Sequence, residues 1–326
     1  SPDFSDRSGA ATRQERAVPF CEADPWRMQY FEGIACPAAV RVPTEDPDAY
    51  EWYPQQRWVY DKLRLCASQG IVCAPHGVEP PRFPVFSKPI TNLRGMGVGS
   101  RVLRNALDYR RHLTAGHFWM PLLAGEHVST DVAVVRGRVM WSRHARGTPA
   151  GQGTFDYWTI EAARRPGLEA YLADWLAHRI GSYTGMMNFE SIGGRIIDAH
   201  LRFADQWPDL YGRGWLEAVV RLYERGVWSY QEPGRSDGYS VALFGPHGCE
   251  YQHPPAALLA EVRRMAQVSS VQCTFHADRP AAAHPMPPGG FRLAIVNCHA
   301  LEAGRAARAV LAQAYCLSPA HAASFG

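Results

Sequence analysis

The sequence predicts a mixed α/β fold in which helices and strands alternate along most of the chain. Apolar residues recur at helical spacing in several stretches, whereas other stretches are strand-like and are joined in pairs by glycine-containing turns. Of the 326 residues, 46% are hydrophobic and 20% are charged, which is a globular composition. A chain of this length can form two or three packed units with a core of ordinary size.

Proline spacing and composition divide the chain into three parts. Residues 1–54 predict a small lead-in unit: residues 18–54 hold short apolar pieces separated by prolines, and the polar residues 1–17 are predicted to be mobile. Residues 55–232 carry most of the predicted helices and strands. The turn-forming residues at 231–238 mark a linker, so that residues 233–326 predict a smaller α+β extension.

Periodicity and turn signals locate the individual elements. In the central part, helices are predicted at 55–70, 101–115, 167–181 and 214–227, and strands at 83–88, 128–135, 139–141, 184–190 and 195–201, with a glycine- and proline-rich loop at 144–153. In the extension, strands are predicted near 239–244, 270–275 and 291–296, and helices near 255–267 and 301–315.

Lys62 and Lys88 are the only lysines among 34 basic residues. Lys62 lies in the first predicted helix of the central part, and Lys88 ends a predicted strand directly before a glycine-rich turn with Gly95, Gly97 and Gly99. Glycine lets backbone N–H groups approach phosphate oxygens closely, and an ammonium group supplies a point charge. The arrangement is typical of a polyphosphate site, although an exposed helix lysine and an ordinary turn are the alternatives.

Glu190 and Asp198 lie on two predicted strands that are joined by a glycine turn, so they can face each other across the ladder. Asp198, His200 and Arg202 alternate with a period of two, which points their side chains to one face of the strand. Such a face suits a site where carboxylate oxygens bind Mg²⁺ and a guanidinium group binds a phosphoryl group.

Structural roles are the alternatives for the same hairpin. The two carboxylates could pair with arginines such as Arg195 at a solvated edge. Arg202 could be bonded to Asp205 or Asp209 and serve packing alone.

Taken in order, these features resemble the ATP-grasp superfamily. The resemblance extends over residues 60–212 and includes the two lysines, the glycine turn, the segment 120–131 and the acidic hairpin. It implies an ATP-grasp fold of two α+β lobes that hold ATP between them. Family members usually have a larger N-terminal domain, which often helps to bind the acceptor, so the N-terminal unit of this chain is reduced.

The resemblance also implies a role for each candidate residue. A connecting strand near 119–123 would present backbone groups to adenine, and acidic residues on paired strands would hold Mg²⁺, with Mn²⁺ as an alternative. The roles are phosphate binding for Lys62 and Lys88, a lid for Gly95, Gly97 and Gly99, adenine contact for Met120 and Leu122, ribose contact for Glu126 and His127, metal binding for Glu190, Asp198 and His200, and catalysis for Arg202 with Lys88.

The chain departs from the family pattern at the metal site. The usual pattern is Glu-x-Asn-x-Arg, whereas this sequence has Asp198, His200 and Arg202 at those positions. A nitrogen ligand suits Zn²⁺ or Mn²⁺ better than Mg²⁺. The departure leaves open whether His200 binds an ion or supports a ligand, whether one or two ions bind, and whether activity is reduced.

The function implied by the resemblance is an ATP-dependent ligase that joins a carboxylate to an amine, or to a thiol, through an acyl phosphate. The expected partners are small-molecule or peptide carboxylate and amine substrates. The alternatives are a phosphotransferase on the same scaffold and an ATP-binding or interaction protein without turnover. Homo-oligomerisation is plausible by resemblance, but no sequence pattern indicates it.

Charge, hydropathy and cysteine usage exclude other classes. The net charge of +3 and the scattered arginines do not indicate a nucleic-acid partner. No apolar stretch reaches the roughly 20 residues of a membrane span. The eight cysteines form no C-x-x-C pair and no metal-ligand spacing with histidines, which predicts reduced thiols and a cytoplasmic location.

Overall fold

The computed structural model describes residues 20–22, 24–34, 37, 40–93 and 95–315. The predicted mobile residues 1–17 lie outside this range. The described residues form a two-stranded, a four-stranded and an eight-stranded sheet with helices packed on them. The mixed α/β class predicted from the sequence is therefore confirmed.

The N-terminal unit is short and packs on the main body of the protein. It contains the parallel strands β1 (Phe20–Cys21) and β2 (Val42–Pro43), a 3₁₀ helix (Met28–Tyr30) and helix α1 (Asp46–Trp52). The rings of Phe20 and Phe31 stack with centroids 4.2 Å apart and join the same buried cluster as Phe203. This apolar contact fixes the N-terminal unit against the segment that follows the acidic hairpin.

The small lobe is a four-stranded antiparallel sheet with two short helices. Its elements are a 3₁₀ helix (Arg57–Tyr60), α2 (Lys62–Ala67), β3 (Ala74–Pro75), β4 (Val85–Pro89), β5 (Arg101–Leu103), α3 (Ala106–Arg111) and β6 (His117–Pro121), and the strand order is β3-β6-β4-β5.

Two predicted helices of this lobe are shorter than expected because polar caps set where they begin. The Asp61 side chain accepts a hydrogen bond from the Arg64 N–H at 2.9 Å, so α2 begins at residue 62 and not at 55. Asn105 caps α3 in the same way through the Asp108 N–H at 2.9 Å. The prediction of one helix over 101–115 is wrong, since 101–103 pairs with β4 as a strand.

The large lobe is an eight-stranded antiparallel sheet. Its elements are β7 (His127–Val135), β8 (Arg138–Gly151), β9 (Thr154–Ile160), α4 (Pro166–Arg179), β10 (Gly185–Ile192), β11 (Arg195–His200), a 3₁₀ helix (Pro208–Tyr211), α5 (Trp215–Arg225), β12 (Gly238–Gly245), α6 (Ala256–Arg263), β13 (Val268–Cys273), a 3₁₀ helix (Ala281–Ala283), β14 (Phe291–Cys298) and α7 (Leu301–Ala314). The strand order is β11-β10-β7-β8-β9-β12-β14-β13.

The predicted loop at 144–153 is mostly strand. β8 continues to Gly151 and pairs with β9, which the sequence did not reveal. The structure explains why glycine and proline occur in this strand. A Cβ at Gly147 would lie 2.5 Å from the Phe155 ring, and the strand register shifts next to Pro149. Glycine and proline at a close approach and a bulge are compatible with a strand.

The C-terminal strands continue the same sheet. β12 pairs with β9, with Tyr239 opposite Thr159, and β14 and β13 follow at the edge. The predicted extension 233–326 thus shares its sheet with the central part, and the division into three parts stays a prediction. Among the described residues, no helix is long and apolar enough to cross a membrane.

Candidate functional site

The two lysines meet at β11 although they come from different elements. The backbone N–H of Lys62, the first residue of α2, donates to the Ile90 carbonyl just after β4 at 2.8 Å. Both lysines are only 6% exposed. Lys62 Nζ contacts the Asp198 carboxylate, and Lys88 Nζ donates to the Ile197 carbonyl oxygen at 2.6 Å.

The surroundings shift the pKa values of the two lysines in opposite directions. Burial lowers the pKa of Lys88, and the neighbouring Lys62 ammonium lowers it further. Burial also disfavours the charge of Lys62, but the Asp198 carboxylate outweighs burial and raises the pKa of Lys62. Removing water from two adjacent ammonium groups is costly, so the pair is well suited to a polyanion.

The two candidate metal-binding carboxylates are direct cross-strand partners. Glu190 lies opposite Asp198 in the β10–β11 ladder, which puts both side chains on one face of the sheet. Glu190 Oε2 lies 3.2 Å from His127 Nε2. Burial opposes the charge of Glu190, but this histidine, together with His200 and Lys62, lowers the pKa of Glu190 to about 2.

His200 and Arg202 converge on Asp46, a residue that the sequence did not single out. Asp46 is 4% exposed and accepts from His200 Nδ1 at 2.9 Å. It also accepts from Arg202 Nε at 3.0 Å and Nη2 at 3.1 Å. Burial opposes ionisation of Asp46, but the charges of Arg202 and then His200 hold its pKa well below the usual range.

The bonds to Asp46 limit which atoms of His200 and Arg202 can bind an ion or a phosphate. The Nδ1 atom of His200 is committed to Asp46, so only Nε2, which lies 3.9 Å from Asp198 Oδ1, remains for an ion. Among the described residues, Glu190, Asp198 and His200 do not bring three ligand atoms within 4.8 Å of one another. The structural partner of Arg202 is Asp46, and neither Asp205 nor Asp209 bonds to it in the described contacts.

The glycine turn between β4 and β5 needs its glycines. Gly95, Gly97 and Gly99 have φ angles of 66°, 63° and 79°, in the left-handed region that side chains rarely adopt. The last two are exposed to solvent. The Asn92 side-chain amide donates to the Gly95 carbonyl at 2.9 Å and closes the start of the turn.

The remaining candidates lie on the connection between the lobes. Met120 is buried in β6, with its Sδ 3.8 Å from Cys66 Sγ, whereas Leu122 is exposed just after that strand. Glu126 accepts from Arg165 Nη1 at 2.8 Å. His127 begins β7 beside Glu190, so this candidate ribose residue contacts a candidate metal ligand.

A cavity of about 310 Å³ lies at the turn end of the acidic hairpin. Glu126, Arg165, Gly193 and Gly194 contribute to its walls, and neither lysine does. It is therefore separate from the place where the lysines and Asp198 meet.

Solved structures with a similar fold are ATP-grasp ligases. An L-amino acid ligase from Bacillus licheniformis aligns with a TM-score of 0.60 and 12% identity, covering 88% of this chain and 82% of that chain. An N5-carboxyaminoimidazole ribonucleotide synthetase from Thermus thermophilus aligns with a TM-score of 0.56 and 16% identity, covering 90% and 85%. A phosphoribosylamine–glycine ligase from Thermotoga maritima aligns with a TM-score of 0.54 and 13% identity, covering 84% and 86%.

Comparison of the amino-acid sequence with known families and curated proteins finds no match. No protein-family model matches the chain, and no curated protein matches it in sequence. The structural matches alone establish the architecture. The chain has an ATP-grasp fold, as the resemblance predicted.

Proposed function

We propose that this ATP-grasp chain is an ATP-dependent ligase that joins a carboxylate to an amine, or to a thiol, through an acyl phosphate. The observation that carries the proposal is the convergence of Lys62, Lys88 and Asp198, with Glu190 opposite Asp198. Two buried ammonium groups beside paired carboxylates are complementary to a metal-bound polyphosphate. Two of the solved structures with this fold are an L-amino acid ligase and a phosphoribosylamine–glycine ligase, which supports the general kind of reaction.

In this proposal the chain binds ATP between the small lobe and the acidic hairpin. Lys62 and Lys88 bind the phosphates, Gly95, Gly97 and Gly99 cover them, and the connection between the lobes holds the nucleoside. Adenine contacts are proposed for the backbone at Met120 and Leu122, and ribose contacts for Glu126 and His127. A solved relative in fold, the Aspergillus clavatus synthase, is complexed with ATP, which supports use of this nucleotide.

The residues present are compatible with a bound Mg²⁺. The Lys62 ammonium contacts Asp198, and its pKa is raised in part by Glu190, so a positive charge is already favoured between the two carboxylates. Glu190 and Asp198 would hold the ion, and His200 could contribute Nε2, which would favour Mn²⁺ as the alternative. When bound, the ion would neutralise phosphate charge.

Protein groups have little covalent chemistry to perform in such a reaction. The substrate carboxylate attacks the γ-phosphorus, ADP leaves, and the amine then displaces phosphate from the acyl phosphate. Arg202, oriented by Asp46, and Lys88 neutralise charge that develops on the transferred group. A closed glycine lid would exclude water, which otherwise hydrolyses the acyl phosphate.

The test is ADP formation by the purified chain with Mg-ATP and a panel of carboxylates and amines. A ligase releases ADP and phosphate only when both substrates are present, and hydroxylamine traps the acyl phosphate as a hydroxamate. A stable phosphorylated product formed from one acceptor would identify a phosphotransferase instead. If calorimetry shows ATP binding but no substrate pair yields ADP, the ligase proposal is rejected. The chain would then be an ATP-binding protein without turnover.

A further inference from the structure

The connection between the lobes, residues 122–126, folds over the turn of the acidic hairpin. It joins β6 to β7, and the turn joins β10 to β11. The Gly193 N–H of the turn donates to the Glu126 carbonyl oxygen of the connection at 3.2 Å. We define the glycine joint by the residues Ala124, Gly125, Glu126 and Gly193. It links the segment proposed to hold the nucleoside to the hairpin that carries the candidate metal ligands.

Both sides of the glycine joint require glycine. A Cβ at Gly193 would lie 2.4 Å from the Ala124 carbonyl oxygen, and a Cβ at Gly125 would lie 2.8 Å from the Gly193 Cα. Both neighbouring atoms belong to the backbone, so they cannot rotate away as the end of a flexible side chain can. Glycine permits this close approach of two backbone segments. A side chain at either position must therefore push the connection and the turn apart.

The opposite side of the turn faces open space. The cavity of about 310 Å³ separates the turn from the start of α4, and Gly193 and Gly194 both contribute to its wall. A Cβ at Gly194 would meet nothing within 4 Å, although its φ of 77° is left-handed like the 56° of Gly193. The turn is therefore held in place from the side of the connection. A displaced turn can move into the cavity while the hairpin stays folded.

Ion pairs at Glu126 also hold the connection, but they are the weaker contact. Glu126 Oε2 accepts from Arg165 Nη1 at 2.8 Å, and its Oε1 lies 3.6 Å from Arg146 Nε. The Glu126 side chain is 58% exposed. An exposed ion pair of this kind contributes little to stability. The backbone contact of the glycine joint therefore sets the distance between the connection and the turn.

A displacement of the turn reaches the candidate metal site over a short path. Glu190 lies near the end of β10, and the ladder register shifts directly after it, so that Ile197 is an extra residue on β11. A bulge bends the strand at this point. Lys88 Nζ donates to the carbonyl oxygen of this extra residue at 2.6 Å. His127, the first residue after the connection, lies with Nε2 3.2 Å from Glu190 Oε2.

We infer that the glycine joint couples the nucleoside-binding connection to the metal-binding carboxylates. The joint fixes how far Glu190 and Asp198 lie from the phosphates of a nucleotide that is bound on the connection. Gly125 and Gly193 are positioning residues, because they act through their backbone contact and touch no substrate themselves. This inference rests on the proposed function, because it relates two parts of that site to each other.

The test measures how strongly Mg²⁺ increases the affinity for ATP. Calorimetry of the full chain, once with ATP and EDTA and once with ATP and MgCl₂, gives two dissociation constants and hence their ratio. Gly193→Ala separates the connection from the turn, so this ratio should fall about tenfold. The affinity for ATP without Mg²⁺ should stay near the parent value, because the two lysines and the connection remain.

Gly194→Ala is the matched control. It introduces an alanine with a left-handed φ into the same turn but makes no new contact. Both alanines should lower the melting temperature, since side chains rarely adopt this backbone conformation. Only Gly193→Ala should also lose the Mg²⁺-dependent increase in ATP affinity. A joint with a purely structural role would change the melting temperature and leave the ratio at the parent value.

A second substitution keeps the test decisive if Gly193→Ala does not fold. Gly125→Ala presses on the same contact from the side of the connection. It should reduce the ratio of the two dissociation constants in the same way. Equal ratios in the parent chain, in Gly194→Ala and in the folded joint variant would overturn the inference.

Failure of this inference differs from failure of the proposed function. If the parent chain binds no ATP, or if Mg²⁺ does not increase its ATP affinity, the proposed site and the coupling are both rejected. If Mg²⁺ increases ATP affinity equally in the parent chain and in Gly193→Ala, the coupling alone is wrong. If Gly193→Ala loses the increase and no substrate pair yields ADP, the coupling is supported and the ligase proposal alone fails.

Discussion

Asp46 and Arg202 form a two-point ion pair across 156 residues of sequence, with Nε–Oδ1 at 3.0 Å and Nη2–Oδ2 at 3.1 Å. The pair ties helix α1 to the segment that follows β11. Since Asp46 also accepts from His200 Nδ1, one carboxylate orients both polar residues that follow Asp198.

Substitution of Asp46 should therefore be costly. We expect Asp46→Asn to lower the free energy of unfolding by on the order of 3 kcal/mol, because a buried guanidinium group loses its counter-charge. Urea denaturation measures this change. Glu51→Gln, an exposed substitution on the same helix, is the control and should change stability by less than about 0.5 kcal/mol. Equal stability of the two variants would show that Arg202 does not depend on Asp46.

Lys88 should contribute directly to nucleotide affinity. Lys88→Met keeps most of the side-chain volume but removes the ammonium group, so ATP should bind about 10- to 100-fold more weakly in calorimetry. Exposed Arg82→Ala, which removes a positive charge near the start of the same strand, should leave ATP affinity nearly unchanged. Identical ATP affinity in Lys88→Met and the parent chain would show that Lys88 does not bind the nucleotide.

Asp198 should be required for turnover and not for folding. Asp198→Asn removes a candidate metal ligand and the partner of Lys62, so burial then dominates and the pKa of Lys62 should fall below its usual value. We expect loss of ADP formation in a chain that still folds, with a lower melting temperature because buried Lys62 loses its counter-charge. Asp174→Asn, whose side chain is 75% exposed on α4, is the matched control. Full activity of Asp198→Asn would exclude a metal-binding role.

The lid can be tested by comparing two glycines with similar strain. Gly97 has φ of 63° and Gly248 has φ of 80°, and a Cβ at either position meets nothing within 4 Å. Alanine at either position should cost about 1 kcal/mol of stability through its backbone conformation. Only Gly97→Ala should also raise the KM for ATP. If both variants keep the parent KM, the glycine turn does not cover the phosphates.

Stability should depend on pH through Glu45. Burial, together with the nearby carboxylates of Asp205, Glu22 and Asp24, raises the pKa of Glu45 from 4.5 to about 8 although Arg27 opposes the shift. The folded state therefore binds more protons than the unfolded state between these values. Stability from this group is therefore fully present below pH 4.5 and is lost as the pH rises towards 8. Melting temperatures of the parent chain should fall more steeply over that interval than those of Glu45→Gln. Parallel curves for the two proteins would show that the pKa of Glu45 is not raised in the folded protein.

Local sequence rules located most of the hairpins and helices because their signals are short in range. The glycine turn at 193–194 and the period of two at 198–202 were sufficient to predict that Glu190 and Asp198 face each other. The same rules failed at 101–115, where Val102 pairs with Phe86 in the sheet. They also failed at 144–153, where glycine and proline fit a bulged strand against Phe155.

The sequence by itself determined the α/β class, Lys88 beside its glycine turn, and the paired acids of the hairpin, since each depends on residues close together in the chain. Only the tertiary structure decided that Asp46 holds His200 and Arg202, and that Glu45 and Asp205 surround Arg27. Charges of this kind meet because sheets and apolar packing bring distant segments together, and no local pattern records such contacts.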